Sequence, residues 1–133
     1  MNETIRSLRT IGFSLIVLLL SAAPACSQSE TTPKGAAAPA PVDLQGGERK
    51  FVAKCSACHG VGGVGTNQGP PLVHKIYEPN HHGDAAFHRA AANGVQAHHW
   101  GFGDMPKVDG VTPGDVDQIV KYIRWLQKQA GIY

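Results

Sequence analysis

The clearest hydrophobic rhythm lies near the C-terminus. Val116, Ile119, Val120, Ile123 and Leu126 recur at i, i+3, i+4, i+7 and i+10, the spacing of one face of an α-helix. Thr112-Pro113-Gly114-Asp115 supplies a capping box with Pro at the first helical position. Tyr122 and Trp125 flank the stripe, and Gly131 lies just past the end. The pattern predicts an amphipathic helix packed on a core, against the first helix of the same domain. Its polar face is not strongly basic, which argues against a role on a membrane surface.

Two weaker patterns precede it. A first helix is expected from Leu44 into Ala57, with Asp43 as N-cap, although Gly46 and Gly47 weaken its start. Gly47 and Phe51 are four apart and share a face, so the glycine permits another helix to approach while Phe51 enters the core. A second helix is expected over Ala85–Ala92, capped by Asp84 and ended by Asn93-Gly94, with Phe87, Ala90 and Ala91 as its apolar stripe. Strand signals are nearly absent. Residues Gly60 to Pro71 form a Gly-rich, irregular stretch suited to wrapping a flat group. No Gly-Lys-Ser/Thr follows it, so it is not a phosphate-binding P-loop. The class predicted is all-α.

The N-terminal pattern is different in kind. Arg6 and Arg9 precede an apolar run from Ile11 to Leu20, and Ala23-Pro24-Ala25 forms an A-x-A cleavage site. Residues 1–25 therefore read as an export signal. The run is short against the roughly 20 residues a bilayer crossing needs, which disfavours an uncleaved anchor. Cys26 follows at once. Two outcomes fit it: acylation of Cys26 as the N-terminus of a lipoprotein, or ordinary cleavage that leaves a free thiol. The residues before Cys26 depart from the usual lipobox. The Ser-, Thr-, Ala- and Pro-rich stretch that completes residues 26–42 cannot bury enough surface to order itself and reads as a linker, fit to tether a head to a lipid anchor. The folded domain is expected over residues 43–133. It is small enough to be marginal on its own core.

Charge adds little. Twelve Lys and Arg against ten Asp and Glu leave +2 over 133 residues. That is too weak a field to argue for a nucleic-acid partner.

Chemistry concentrates in Cys55-Ser56-Ala57-Cys58-His59. This is C-x-x-C-H, the attachment signature of covalent c-type haem. Cysteines at this spacing lie about one helical turn apart and can both reach one porphyrin edge. The adjoining His is then placed to bind the iron. Structural zinc would want a second ligand pair, and no cysteine follows Cys58. A thioredoxin-like dithiol would want a preceding strand, whereas the upstream flank looks helical. One axial position would go to His59. Candidates for the other are Met105, His74, His81, His82, His88, His98 and His99. Met105 sits in the turn-rich Gly101-Phe102-Gly103-Asp104-Met105-Pro106, a poor place for a core gap-filler.

With these residues in place the chain resembles the small class I cytochromes c from Gly47 to Gln129. The family's elements come in order: Gly47 and Phe51 as G-x-x-x-F, then Cys55, Cys58 and His59, then Gly69-Pro70-Pro71-Leu72, then Met105-Pro106, then a terminal helix with Tyr122 and Trp125. The resemblance implies three to five helices around one covalent haem, with the first and last helices crossing. It implies Met105 as the second axial ligand, and a Pro70 carbonyl that accepts from the other imidazole N–H of His59. It also implies one-electron transfer between proteins rather than enzymatic turnover. A dehydrogenase and a terminal oxidase are possible partners, in the periplasm or tethered to a membrane facing it.

One departure stands out. The chain has seven His, and small cytochromes c carry few. The pairs His81-His82 and His98-His99, with His74 and His88, are either a solvated loop-borne set or a second metal site for copper or zinc. Three alternatives to electron transfer therefore stand beside it: a haem enzyme or ligand sensor with an open iron, one with bis-His iron, and a copper-handling protein that uses the His cluster.

Overall fold

The structure, a computed structural model, describes residues 39–133. The stretch expected to be an export signal, Cys26 and the expected linker up to residue 38 lie outside the described residues. Four α-helices follow one another: α1 Gln45–Lys54, α2 Ser56–His59, α3 Asp84–Asn93 and α4 Pro113–Gln129. Short 3-10 turns occupy Val61–Gly63 and Lys75–Tyr77. Among the described residues the sole β feature is an isolated antiparallel bridge between Val95 and Met105. The all-α expectation holds. No described helix is long and apolar enough to cross a membrane.

The apolar stripe of α4 is buried as its period requires: Val116, Ile119, Val120, Ile123 and Leu126, joined by Tyr122. Its principal neighbour is α1. A Cβ placed on Gly47 would lie 2.1 Å from the backbone oxygen of Gln118, so only glycine allows this crossing. One turn on, Phe51 is fully buried and its ring lies 5.8 Å from that of Tyr122. The capping box of α4 forms in both directions. Thr112 Oγ1 accepts from the Asp115 N–H (3.2 Å), and Asp115 Oδ2 accepts from the Thr112 N–H (3.0 Å). Lys50 of α1 donates to Asp115 Oδ1 at 2.5 Å and ties the two helices at that end. The Lys50 ammonium, with Thr112, holds the Asp115 carboxyl well below its ordinary range.

The structure corrects four details. The N-cap of α1 is Leu44, not Asp43. The chain enters through a turn in which the Pro41 carbonyl accepts from the N–H groups of Leu44 and Gln45, so no side-chain cap is used. The first helix does not run on into Ala57 but breaks at Cys55 (φ −123°) and restarts as α2. Ser56 Oγ donates back to the Val52 carbonyl at 2.7 Å, a local bond that bends helices. The N-cap of α3 is Gly83 rather than Asp84. Asp84 instead spends its carboxylate on Arg124 Nε of α4, at 2.8 Å. Finally, Ala40, placed in the linker by composition, is 5 % exposed and joins the core of Phe51, Leu72 and Ile123.

Polar groups inside the apolar register of α4 do their own work. Gln127 is fully buried, and its Nε2 donates to the carbonyls of Leu72 (2.8 Å) and Tyr77 (3.0 Å). Arg124 donates to the carbonyls of Tyr77 and His82, both at 2.6 Å, and to Gln127 Oε1 at 2.7 Å. Its guanidinium also lies over the Phe87 ring, 5.0 Å from the centroid. Together they fasten the 72–84 loop to α4.

Candidate functional site

α2 exists to present the C-x-x-C-H segment. The His59 N–H returns to the Cys55 carbonyl (3.0 Å), and the helix ends at Gly60. Cys55 is half-buried, Cys58 is exposed, and they form no disulfide. As a thiol, Cys55 is pushed up to about 11 by burial, with Cys58 adding to the shift. Redox-active dithiols show the opposite, a lowered thiol. Neither cysteine belongs to a group of three metal-ligating side chains among the described residues.

His59 is 8 % exposed. Its Nδ1–H donates to the Pro70 carbonyl oxygen at 2.9 Å. A carbonyl only accepts, so the proton sits on Nδ1 and Nε2 keeps its lone pair. Burial lowers the affinity of this imidazole for a second proton, and the Pro70 carbonyl partly opposes that. A neutral ring with a fixed tautomer is the form that binds a metal.

Met105 is placed by the bridge to Val95, with N–H···O distances of 2.9 Å in both directions. Gly94 makes that bridge possible. It ends α3 at φ 77°, and a Cβ there would meet the Met105 carbonyl oxygen at 2.5 Å. The turn that stops α3 and the approach of the Met105 segment therefore share one glycine.

Cys55, Cys58, His59, Pro70 and Met105 all line a single cavity of about 840 Å³. Leu72, Phe87, Ala90, Val95, Val116 and Ile119 supply apolar walls. α3 has no fully buried residue: Phe87, Ala90 and Ala91 line the cavity, and Phe87 also packs against the edge of the core and the Arg124 guanidinium. The size lies in the range of cofactor pockets, roughly 300–1,000 Å³. One buried donor beside the cavity is orphaned. Trp100 Nε1 has no partner among the described residues. Burial pushes the Tyr77 hydroxyl above its ordinary value, and the nearby Trp100 indole opposes this, but the two do not reach hydrogen-bond geometry. An apolar cavity with thiols, a neutral imidazole and a thioether fits a large flat iron cofactor.

The cytochrome c family model matches residues 44–127. The chain belongs to the cytochrome c family. Class I cytochrome c is thus the right architecture for the four helices, and the family's covalent haem c agrees with Cys55, Cys58 and the cavity. Cytochrome c domains are typically electron carriers. No curated protein and no solved structure matches the chain.

The remaining histidines divide. His82, His98 and His99 line the same cavity, whereas His74, His81 and His88 do not. His74 Nδ1 accepts from the Ile76 N–H at 3.2 Å, and His88 lies 3.0 Å from Asp117, linking α3 to α4. Three residues that matter here were not singled out by the sequence: Trp100, Arg124 and Gln127. A signal existed for two of them. Arg124 falls four after Val120, and Gln127 four after Ile123, so both are polar residues in apolar register. A lone Trp in a Gly-rich loop carries no such mark.

Proposed function

We propose that the protein transfers single electrons between redox proteins through one haem c attached at Cys55 and Cys58, with His59 and Met105 as axial ligands. The observation that carries this is the His59–Pro70 hydrogen bond within a cavity that Cys55, Cys58 and Met105 also line. The haem, when bound, supplies an iron that cycles between two oxidation states. The chain's own residues do the rest. Pro70 orients His59 and fixes its tautomer. The apolar walls exclude water and thereby limit reorganisation. A thioether at Met105 raises the potential relative to bis-His ligation. Export by residues 1–25 and delivery to the periplasm, with or without a lipid on Cys26, belong to the same proposal.

Oxidised and reduced optical spectra of the purified protein, with acid–acetone extraction of a second sample, test it. The expected result is haem that stays with the polypeptide and a weak far-red iron–thioether band in the oxidised form, lost in Met105→Ala. Covalent haem without that band would replace Met105 by His98 or His99, which line the same cavity. Rapid, complete binding of carbon monoxide by the reduced protein at neutral pH would overturn electron transfer in favour of an open-iron enzyme or sensor. Extractable haem or a colourless protein would overturn the attachment.

A further inference from the structure

Two histidine pairs far apart in sequence meet in space. The ring of His99 lies 4.3 Å from His98, 5.1 Å from His81 and 5.1 Å from His82, centroid to centroid. One ring nitrogen from each of His81, His82 and His99 lies within 4.8 Å of the others. We propose that His81, His82 and His99 form a site for one borderline divalent cation, Zn(II) or Cu(II), separate from the position beside His59.

Geometry comes first. His81 Nε2 and His99 Nε2 are 3.3 Å apart. Two nitrogens each about 2.0–2.1 Å from a tetrahedral metal are separated by roughly the same amount. Only one of the facing atoms can carry a proton toward the other, whereas a cation between them uses both lone pairs. The tautomer of His82 is already set: its Nδ1–H donates to the Ile76 carbonyl at 2.6 Å, which leaves Nε2 with a free lone pair. This backbone contact is the kind that orients metal-binding imidazoles.

The scaffold is held on both sides. Arg124 fixes the His82 carbonyl from α4. The Val95–Met105 bridge closes the other loop at its base, and the Ala97 N–H donates to Asp104 Oδ1 at 2.8 Å inside it. Each histidine pair is thus carried on a short segment pinned at its root. The ion pairs of the described residues include none of these three imidazoles. His81 and His99 are exposed, so a cation has a path in.

Donor chemistry selects the ion. A set made only of imidazole nitrogens, with no carboxylate, does not suit Ca(II) or Mg(II), which want oxygen. Imidazole suits Zn(II) and Cu(II), and the general order of affinities puts Cu(II) above Zn(II). Three protein nitrogens leave a fourth position for water.

The test is calorimetric titration of the purified protein, carrying its own cofactor, with zinc chloride and separately with Cu(II). One equivalent should bind with micromolar or tighter affinity. His81→Gln and His99→Gln should each weaken it by more than the roughly 10–100-fold that loss of an outer-shell partner costs. His88→Gln, whose ring is committed to Asp117, should leave it unchanged. Absence of binding at a large excess of metal would overturn the proposal. Binding that both variants leave untouched would do the same. So would binding that changes the haem spectrum in the manner of a lost axial ligand, since the imidazoles would then belong to the iron.

Discussion

Along the seam of α1 and α4, Phe51 and Ile123 are completely sealed, Tyr122 nearly so, and a glycine lets the two backbones almost touch. Across the molecule no residue of α3 is fully buried; Phe87, Ala90 and Ala91 line a cavity, and Phe87 alone of the three also packs against the core. Polar links tie α3 to the rest, namely His88 to Asp117 and Asp84 to Arg124. Each sets a partly buried nitrogen base against an exposed carboxylate that solvent screens, so each contributes little. The contrast teaches that the chain finishes one side with its own side chains and leaves the other side to the group it binds. Stability of the first side is written in the polypeptide. On the proposed haem attachment, stability of the second would come from the cofactor by linkage.

The strongest way to break this contrast is to remove the cofactor's anchor. Cys58→Ala should impair or abolish haem attachment. Hydrogen exchange should then show amides of α3 losing protection well before those of the α1–α4 seam. Simultaneous and equal loss would mean the two sides are one cooperative unit. Next in size is Phe51→Ala, which opens a cavity in the sealed side and should cost about 3–5 kcal/mol in denaturant unfolding. A cost under 1 kcal/mol would deny that the seam is close-packed.

Gly94→Ala sharpens the other side. It forces a side chain onto a positive φ and against the Met105 carbonyl, and should cost about 1–3 kcal/mol. The far-red iron–thioether band should weaken in the same variant, because Met105 is displaced. A normal band would separate the helix stop from the Met105 position.

The smallest effect concerns the end of the seam. Thr112→Ala should cost about 1 kcal/mol through the lost cap. Its pH dependence has a definite sign. Lys50 and Thr112 depress the folded-state value of Asp115, so the unfolded chain takes up this proton more readily. The contribution is complete above the ordinary carboxylate range near 3.8 and is lost as pH falls below it. Acid titrations of stability should therefore flatten in Thr112→Ala. An unchanged acid limb would mean that Lys50 alone holds the carboxylate.

Much of the sealed side was legible beforehand. The period of α4, its capping box and the Gly47–Phe51 pair each express a local rule that the packing then obeys. Elements facing the cavity were harder to read. α3 was found, but the purpose of its stripe was not, because a periodic apolar face does not say whether protein or cofactor will cover it. The break at Cys55 depends on a serine bonding back one turn, a choice that propensity does not settle. Ala40 went unseen as core because a Pro- and Ala-rich stretch looks the same whether it drifts or docks. The C-x-x-C-H segment and Met105 were legible as chemistry because spacing there is dictated by the ligand. The His pairs were legible only as two alternatives, a solvated set or a second metal site, since adjacency of His81 and His99 across 18 residues is a matter of tertiary structure.

Arg124 carries one more implication. Its guanidinium remains charged at any pH a protein survives; it holds the His82 carbonyl to α4 and shares the Tyr77 carbonyl with Gln127. That grip does not depend on acidity. The segment that bears the His81-His82 pair is a fixed mount, and the part of the cofactor cavity's wall that Tyr77 and His82 supply keeps its shape when the solution turns acidic.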